Sequence, residues 1–231
     1  MPSRALLCAS SAAARLLLLP STRTNPSSPS LLAAAAIAAL NLKQQGSFST
    51  AAGATAGMAA GEEGKPATAP SAGGVSDRIL PHLLNIYGSC ATARDFEIYA
   101  QHATFEDPLM RAHGVKQIKS AFYTLPKVFG ESKIAEYTVK ENSTGPGKTE
   151  ILIDNKQHYK VFGKPVDIAS LITLDVQDGK VIRHQDWWDK KPLKNRETVS
   201  FPLVGRVAEA SRRGAMLLTH VIMGCGKDPT P

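Results

Sequence analysis

At Gly130 the period of the apolar residues changes, and that change limits what the chain can fold into. Before it, apolar residues recur at helical spacing: Ile79, Leu83, Ile86, Tyr87 and Cys90 over 77–93, then Val115, Ile118, Phe122 and Leu125 over 114–129. Pro81 is expected in the first turn, where a missing N–H costs nothing. A second short helix is expected over 95–101, with Phe96 and Tyr99 on one face, and a brief strand over 103–107 is stopped by Pro108. After Gly130 the period is two. Runs over 133–142, 149–162, 167–176 and 181–188 read as strands, the second of them a strand pair or one bent strand. Asp178-Gly179 between two alternating runs is a hairpin signal. Helices placed ahead of an antiparallel meander imply an α+β domain whose sheet curls over them.

The fold begins late in the chain. No Asp or Glu precedes Glu62, while Arg4, Arg15, Arg23 and Lys43 are cationic, and the rest is mostly Ala, Ser, Leu, Thr, Gly and Pro. That composition is expected of an organelle import leader over residues 1–50. Gln45 to Thr50, with its aromatic-then-serine pattern, points to the mitochondrion; the Ser/Pro-rich stretch 21–30 suits a chloroplast instead. Met58 could open a cytosolic form. The apolar patch Leu31 to Leu40 is too short to span a bilayer, so no integral membrane segment is expected. Residues 51–76 read as linker, 77–190 as the domain, and 191–231 as a basic connector plus a C-terminal helix.

The net charge of +7 divides into +4 before Glu62, −1 over 62–188 and +4 over 189–231. A basic leader and a basic tail account for it, so no nucleic-acid partner is expected. Cys8, Cys90 and Cys225 build no disulfide framework, and Cys90 and Cys225 read as small buried hydrophobes. No CxxC, HExxH or Walker pattern calls for a metal or nucleotide, and no cofactor is expected.

Tyr99-Ala100-Gln101-His102-Ala103-Thr104-Phe105-Glu106-Asp107-Pro108, followed by Gly114-Val115-Lys116-Gln117-Ile118, resembles the "ATxEDP … G … I" segment of the NTF2-like superfamily. That group includes ketosteroid isomerases and SnoaL-type polyketide cyclases, and the last strand, through Asp186-Trp187-Trp188, is also similar. The resemblance implies a cone-shaped α+β domain around a pocket. It also implies that Asp107 stands where the isomerases keep their general base. Their two oxyanion donors, a Tyr and a protonated Asp, are not matched: Leu83 and Leu171 stand at those places. Tyr87, one turn after Leu83, could substitute. His184, Asp186 and Trp188 share one face of the last strand and complete the candidate pocket; Gln185 and Trp187 share the other.

The preferred reading is a non-catalytic domain that binds a small apolar ligand or a protein partner, with a homodimer left open. The alternative is an isomerase, cyclase or dehydratase that needs no cofactor and uses Asp107 as base, though the mismatched donors argue against ketosteroid isomerase activity. Beyond the last strand, a helical pattern over 202–223 presents Val204, Val207, Ala208, Ala215, Leu218 and Ile222, which are expected to cover apolar surface of the domain. The acid-free leader predicts a mature N-terminus between Ser49 and Met58. N-terminal sequencing of the endogenous protein checks it, and retention of Met1 or Pro2 would rule it out.

Overall fold

The structure, a computed structural model, describes residues 73–229. The expected leader and nearly all of the expected linker lie outside the described residues. Helix α1 (Val75–Tyr87) leads into a 3-10 turn (Ala93–Ile98), strand β1 (Tyr99–Glu106), strand β2 (Arg111–His113), and helices α2 (Val115–Tyr123) and α3 (Leu125–Val128). Four strands follow, β3 (Glu131–Gly145), β4 (Lys148–Val161), β5 (Lys164–Gln177) and β6 (Lys180–Trp188), and helix α4 (Pro202–Ile222) ends the domain. The fold class is α+β, as expected: a six-stranded, mostly antiparallel sheet with N-terminal helices and an added C-terminal helix. Its strand order is β2-β1-β6-β5-β4-β3, with β1 parallel to β6.

Several local expectations need correction. Helix α1 starts at Val75, so Pro81 lies in its interior rather than its first turn. The earlier start is set by tertiary caps. Glu141 on β3 accepts from the N–H groups of Val75 (3.2 Å) and Ser76 (2.8 Å), and Asp77 accepts from that of Gly74 (3.1 Å). The second helix is a 3-10 turn that ends at Ile98, because Tyr99 already belongs to β1. The 114–129 helix is two, broken at Thr124 with Pro126 just beyond. The 149–162 run is one strand, and Phe162-Gly163, both at positive φ, forms the same kind of tight hairpin as Asp178-Gly179. A register shift between Ile134 and Glu136 turns Tyr137 outward on the edge strand β3. Cys225 is exposed, not buried.

Apolar side chains from α1, the 3-10 turn, β1 and α2 meet the inward rows of β4, β5 and β6 in one large core. A smaller cluster, Tyr159, Val161 and Ile168 against Leu125, Phe129 and Trp188, forms at the far end of the sheet. Polar residues interrupt the inward row of β4, which reads Ile151, Ile153, Asn155, Gln157, Tyr159, Val161.

Helix α4 packs on α2 and β2, with the opposite face inward from the one expected. Val204, Val207, Leu218 and Ile222 are exposed; Arg212, Met216 and Thr219 are buried. Helical periodicity groups residues on a face but does not say which face docks. Here the surface to be covered is polar. The Arg212 guanidinium donates to Glu106 (3.4 Å) and to the carbonyl oxygens of Asp107 (3.4 Å) and Lys194 (3.1 Å). Arg213 donates to the Arg111 carbonyl (3.2 Å), and His220 Nδ1 bonds Ser120 Oγ (2.8 Å). Met216, fully buried, is the apolar anchor among them. Met216→Ala should therefore lower stability by about 2–5 kcal/mol, read by urea denaturation. A change within about 0.5 kcal/mol would mean that α4 is not part of the cooperative unit.

Candidate functional site

Between the two apolar clusters the sheet and helices leave a cavity of about 70 Å³, counted as space open to the centre of a water-sized sphere. That is room for on the order of five waters or a single ring. Its walls are mainly apolar, with Phe105, Phe122, Leu125, Phe129, Ile168 and Trp188 among them. Tyr87, Asp107, Thr124, Tyr159 and Asp186 supply its polar groups.

Asp107 reaches the cavity from the turn between β1 and β2. Its Oδ1 accepts from the N–H groups of Leu109 (2.8 Å) and Met110 (2.5 Å), which locks the turn that Pro108 requires. The turn-capping role and the pocket position are thus properties of one carboxyl. Burial pushes it up to about 7, and the nearby Asp186 carboxyl adds to the rise; the Met110 and Leu109 N–H groups and the Arg212 guanidinium pull the other way.

Asp186, on β6, is buried and is the hub of a polar network. Its Oδ2 accepts from Tyr87 Oη (3.0 Å) on α1 and Gln157 Nε2 (2.9 Å) on β4, and its Oδ1 from Ser170 Oγ on β5. Gln157 is oriented in turn by Tyr159, whose hydroxyl donates to Gln157 Oε1 (2.7 Å). Burial raises the Asp186 carboxyl; the hydrogen bonds from Ser170, Gln157 and Tyr87 oppose that rise.

His184 is placed differently from expectation. It is fully buried and is not among the residues lining the cavity. Its Nδ1 meets Tyr99 Oη at 2.8 Å and its Nε2 meets Tyr87 Oη at 3.2 Å. Because Tyr87 donates to Asp186, a consistent chain has Tyr99 donating to Nδ1 and Nε2–H donating to Tyr87. Burial drives the His184 pKa down to about 3, so the ring stays neutral and works as a relay of orientation rather than as the pocket residue expected. The structure does bring Tyr87, Asp107, Asp186 and Trp188 to one cavity. Tyr99, Gln157, Tyr159, Ser170 and Arg212 escaped the sequence reading. The polar interruption of β4's inward row was a legible signal for Gln157, while Arg212 lies on a distant helix and left none.

Among the described residues no cluster of His, Cys, Asp or Glu could hold a metal ion, and no helix is long and apolar enough to cross a membrane. Asp107 offers a direct test. A carboxyl held near 7 in the folded state, against an ordinary value of about 4, keeps a proton that the unfolded chain releases. Its contribution to stability therefore falls as pH rises from about 4 through about 7. Asp107→Asn keeps an acceptor for both N–H groups but cannot ionise. The variant's melting temperature relative to the parent's should climb between pH 5 and pH 8. A difference that stays flat would show that the carboxyl is not held up by its surroundings.

No family model matches the chain, and no curated protein matches it either. Solved structures do. An NTF2-like protein from Anabaena variabilis is 13% identical over 51% of this chain and 88% of its own, with a TM-score of 0.44. A candidate polyketide cyclase from Xanthomonas campestris is 11% identical over 49% of this chain and 89% of its own, with a TM-score of 0.41. A candidate scytalone dehydratase from Novosphingobium aromaticivorans is 10% identical over 49% of this chain and 81% of its own, with a TM-score of 0.43. Identities and scores at this level say nothing about this chain's activity, which rests on its own residues.

Proposed function

We propose that the domain is an acid–base enzyme acting on a small, largely apolar ring compound, with Asp107 as the group that takes up and returns the proton. The reading preferred from sequence, a non-catalytic binding domain, gives way to its alternative because of one observation: two carboxyls, Asp107 and Asp186, border the same apolar cavity, where burial pushes Asp107 up to about 7. A general base is most effective when its pKa lies near the working pH, and a cavity that excludes most water makes the proton transfer sensitive to fixed dipoles. Tyr87 and Asp186 supply those dipoles. The reaction class this supports is proton abstraction beside a carbonyl or loss of water next to it, as in an isomerase, cyclase or dehydratase. The size of the cavity suits one ring better than a fused four-ring skeleton, and ketosteroid turnover is not expected. The acid-free leader supports placement in an organelle, the mitochondrion first.

Exchange of the α-protons of cyclohexanone in D2O, followed by NMR, tests this reading with a probe of the right size. The protein should accelerate exchange, with a rate that rises as pH passes through about 7 as Asp107 ionises. Asp107→Asn should lower the acceleration by about 10²–10⁴-fold. Exchange that is equally fast with the variant, or no faster than buffer with the parent protein, would return the domain to the class of binding proteins.

A further inference from the structure

Helix α4 turns its most apolar face away from the domain. At 3.6 residues per turn, Leu203, Val207, Ala210, Gly214, Leu217 and Val221 lie within about 40° of one line along the helix. All six are exposed, with 71, 62, 45 and 69% of the surface open at Leu203, Val207, Leu217 and Val221. The inward face is already committed to Arg212, Met216, Thr219 and their partners, so the stripe cannot rotate to cover itself. With the flanking Leu218 it exposes an area on the order of 500–600 Å², about what one partner supplies at the low end of specific protein interfaces.

We infer that this stripe is the contact between two copies of the chain, packed as an antiparallel helix pair on a two-fold axis. The stripe is self-complementary. Counted outward from residue 212, Ala210 and Gly214 are equidistant, as are Val207 with Leu217 and Leu203 with Val221. An antiparallel pair centred there sets small residues against small ones at the crossing and large against large at both ends. That is the requirement of an isologous contact, in which a residue that meets a second residue of the partner is met in turn by that second residue's copy. A Cβ added at Gly214 meets nothing within 4 Å, so the domain's own packing does not require the glycine. Glycine at an exposed mid-helix position is unfavourable, yet it lets a second backbone approach closely. A bilayer surface would gain more from large side chains at the centre of the stripe. Arg206, beside the stripe's N-terminal half, would stand about 18 Å along the axis from its counterpart, beyond the Debye length at physiological salt. Arg213, nearest the centre, turns its guanidinium into the domain, onto the Arg111 carbonyl and the Gln117 side chain.

Sedimentation equilibrium of the full chain tests the inference, with Gly214→Leu as the decisive variant. Leucine favours the helix more than glycine, so the folded monomer should melt no lower than the parent protein while the side chain wedges the helices apart. The expected result is a dimer for the parent chain and a dissociation constant raised at least about tenfold in Gly214→Leu. Leu217→Glu, which puts a charge at the same contact, should also give monomers. A monomeric parent chain overturns the inference, as does a dimer indifferent to both substitutions, which would use another surface. A monomeric chain whose binding to anionic vesicles is abolished by Leu217→Glu would overturn it too, giving the stripe to a membrane.

Discussion

The interior is organised around a carboxyl, Asp186, that no cation among the described residues neutralises directly. Asp186 is buried, and its hydrogen-bond donors are neutral: the hydroxyls of Tyr87 and Ser170 and the amide of Gln157. Tyr87, Gln157 and Ser170 come from α1, β4 and β5, while Asp186 belongs to β6. A buried carboxyl left without donors costs several kcal/mol, so the helix and three strands are held at one relative placement by the need to satisfy it. Apolar packing on either side tolerates small shifts; this network does not. Gln157 illustrates the point, since it donates to Asp186 with its nitrogen only because Tyr159 holds its oxygen. The cavity beside Asp186 is the space these fixed side chains do not fill.

The C-terminal helix reaches the same site from outside. Arg212 bonds Glu106 and the backbone of Asp107, and its charge lowers a carboxyl that burial and Asp186 raise. Helix α4 is thus tied to the site electrostatically as well as through Met216. If the outward stripe of α4 joins two copies, dimer formation and the ionisation of Asp107 are linked through one helix. The strength of that link depends on how far pairing restrains Arg212.

The sequence showed the fold class and the positions of most elements because both depend on period. The switch at Gly130, the Asp178-Gly179 turn and the apolar spacing of α1 and α2 carry that information locally. It showed Tyr87, Asp107, Asp186 and Trp188 because each lies on a regular element or a recognisable turn. What it could not show depended on distance. The start of α1 is set by Glu141, 65 residues from Ser76 in the chain, and no local signal encodes that cap. The same holds for His184, which local pattern pairs with Asp186 and which tertiary packing wedges between Tyr99 and Tyr87. Helix α4 docks by a face other than the expected one for a related reason. Its apolar stripe looked like a docking face, yet the surface it meets offers Glu106 and the carbonyls of Asp107 and Arg111, so the guanidiniums turned inward.

Two carboxyls share the cavity, and their environments assign them different work. Ionising either raises the cost of ionising the other, so the pair gives up its protons in two separated steps. Asp186 gathers side-chain donors from Tyr87, Gln157 and Ser170, which hold its oxygens in place and leave little freedom to approach a substrate. Asp107 is bound by two backbone N–H groups at one oxygen and keeps partial contact with solvent. A group that must receive a proton from a ligand and then release it needs that access. The charge on Asp186 would make Asp107 the stronger base, whereas a proton on Asp186 would make it a further donor toward a developing oxyanion. The hydrogen-bond chain from Tyr99 through His184 and Tyr87 ends on Asp186, where the Tyr87 hydroxyl opposes the rise that burial imposes. A bound carbonyl competing for the Tyr87 hydroxyl would remove one of those donors and shift Asp186 toward its protonated form.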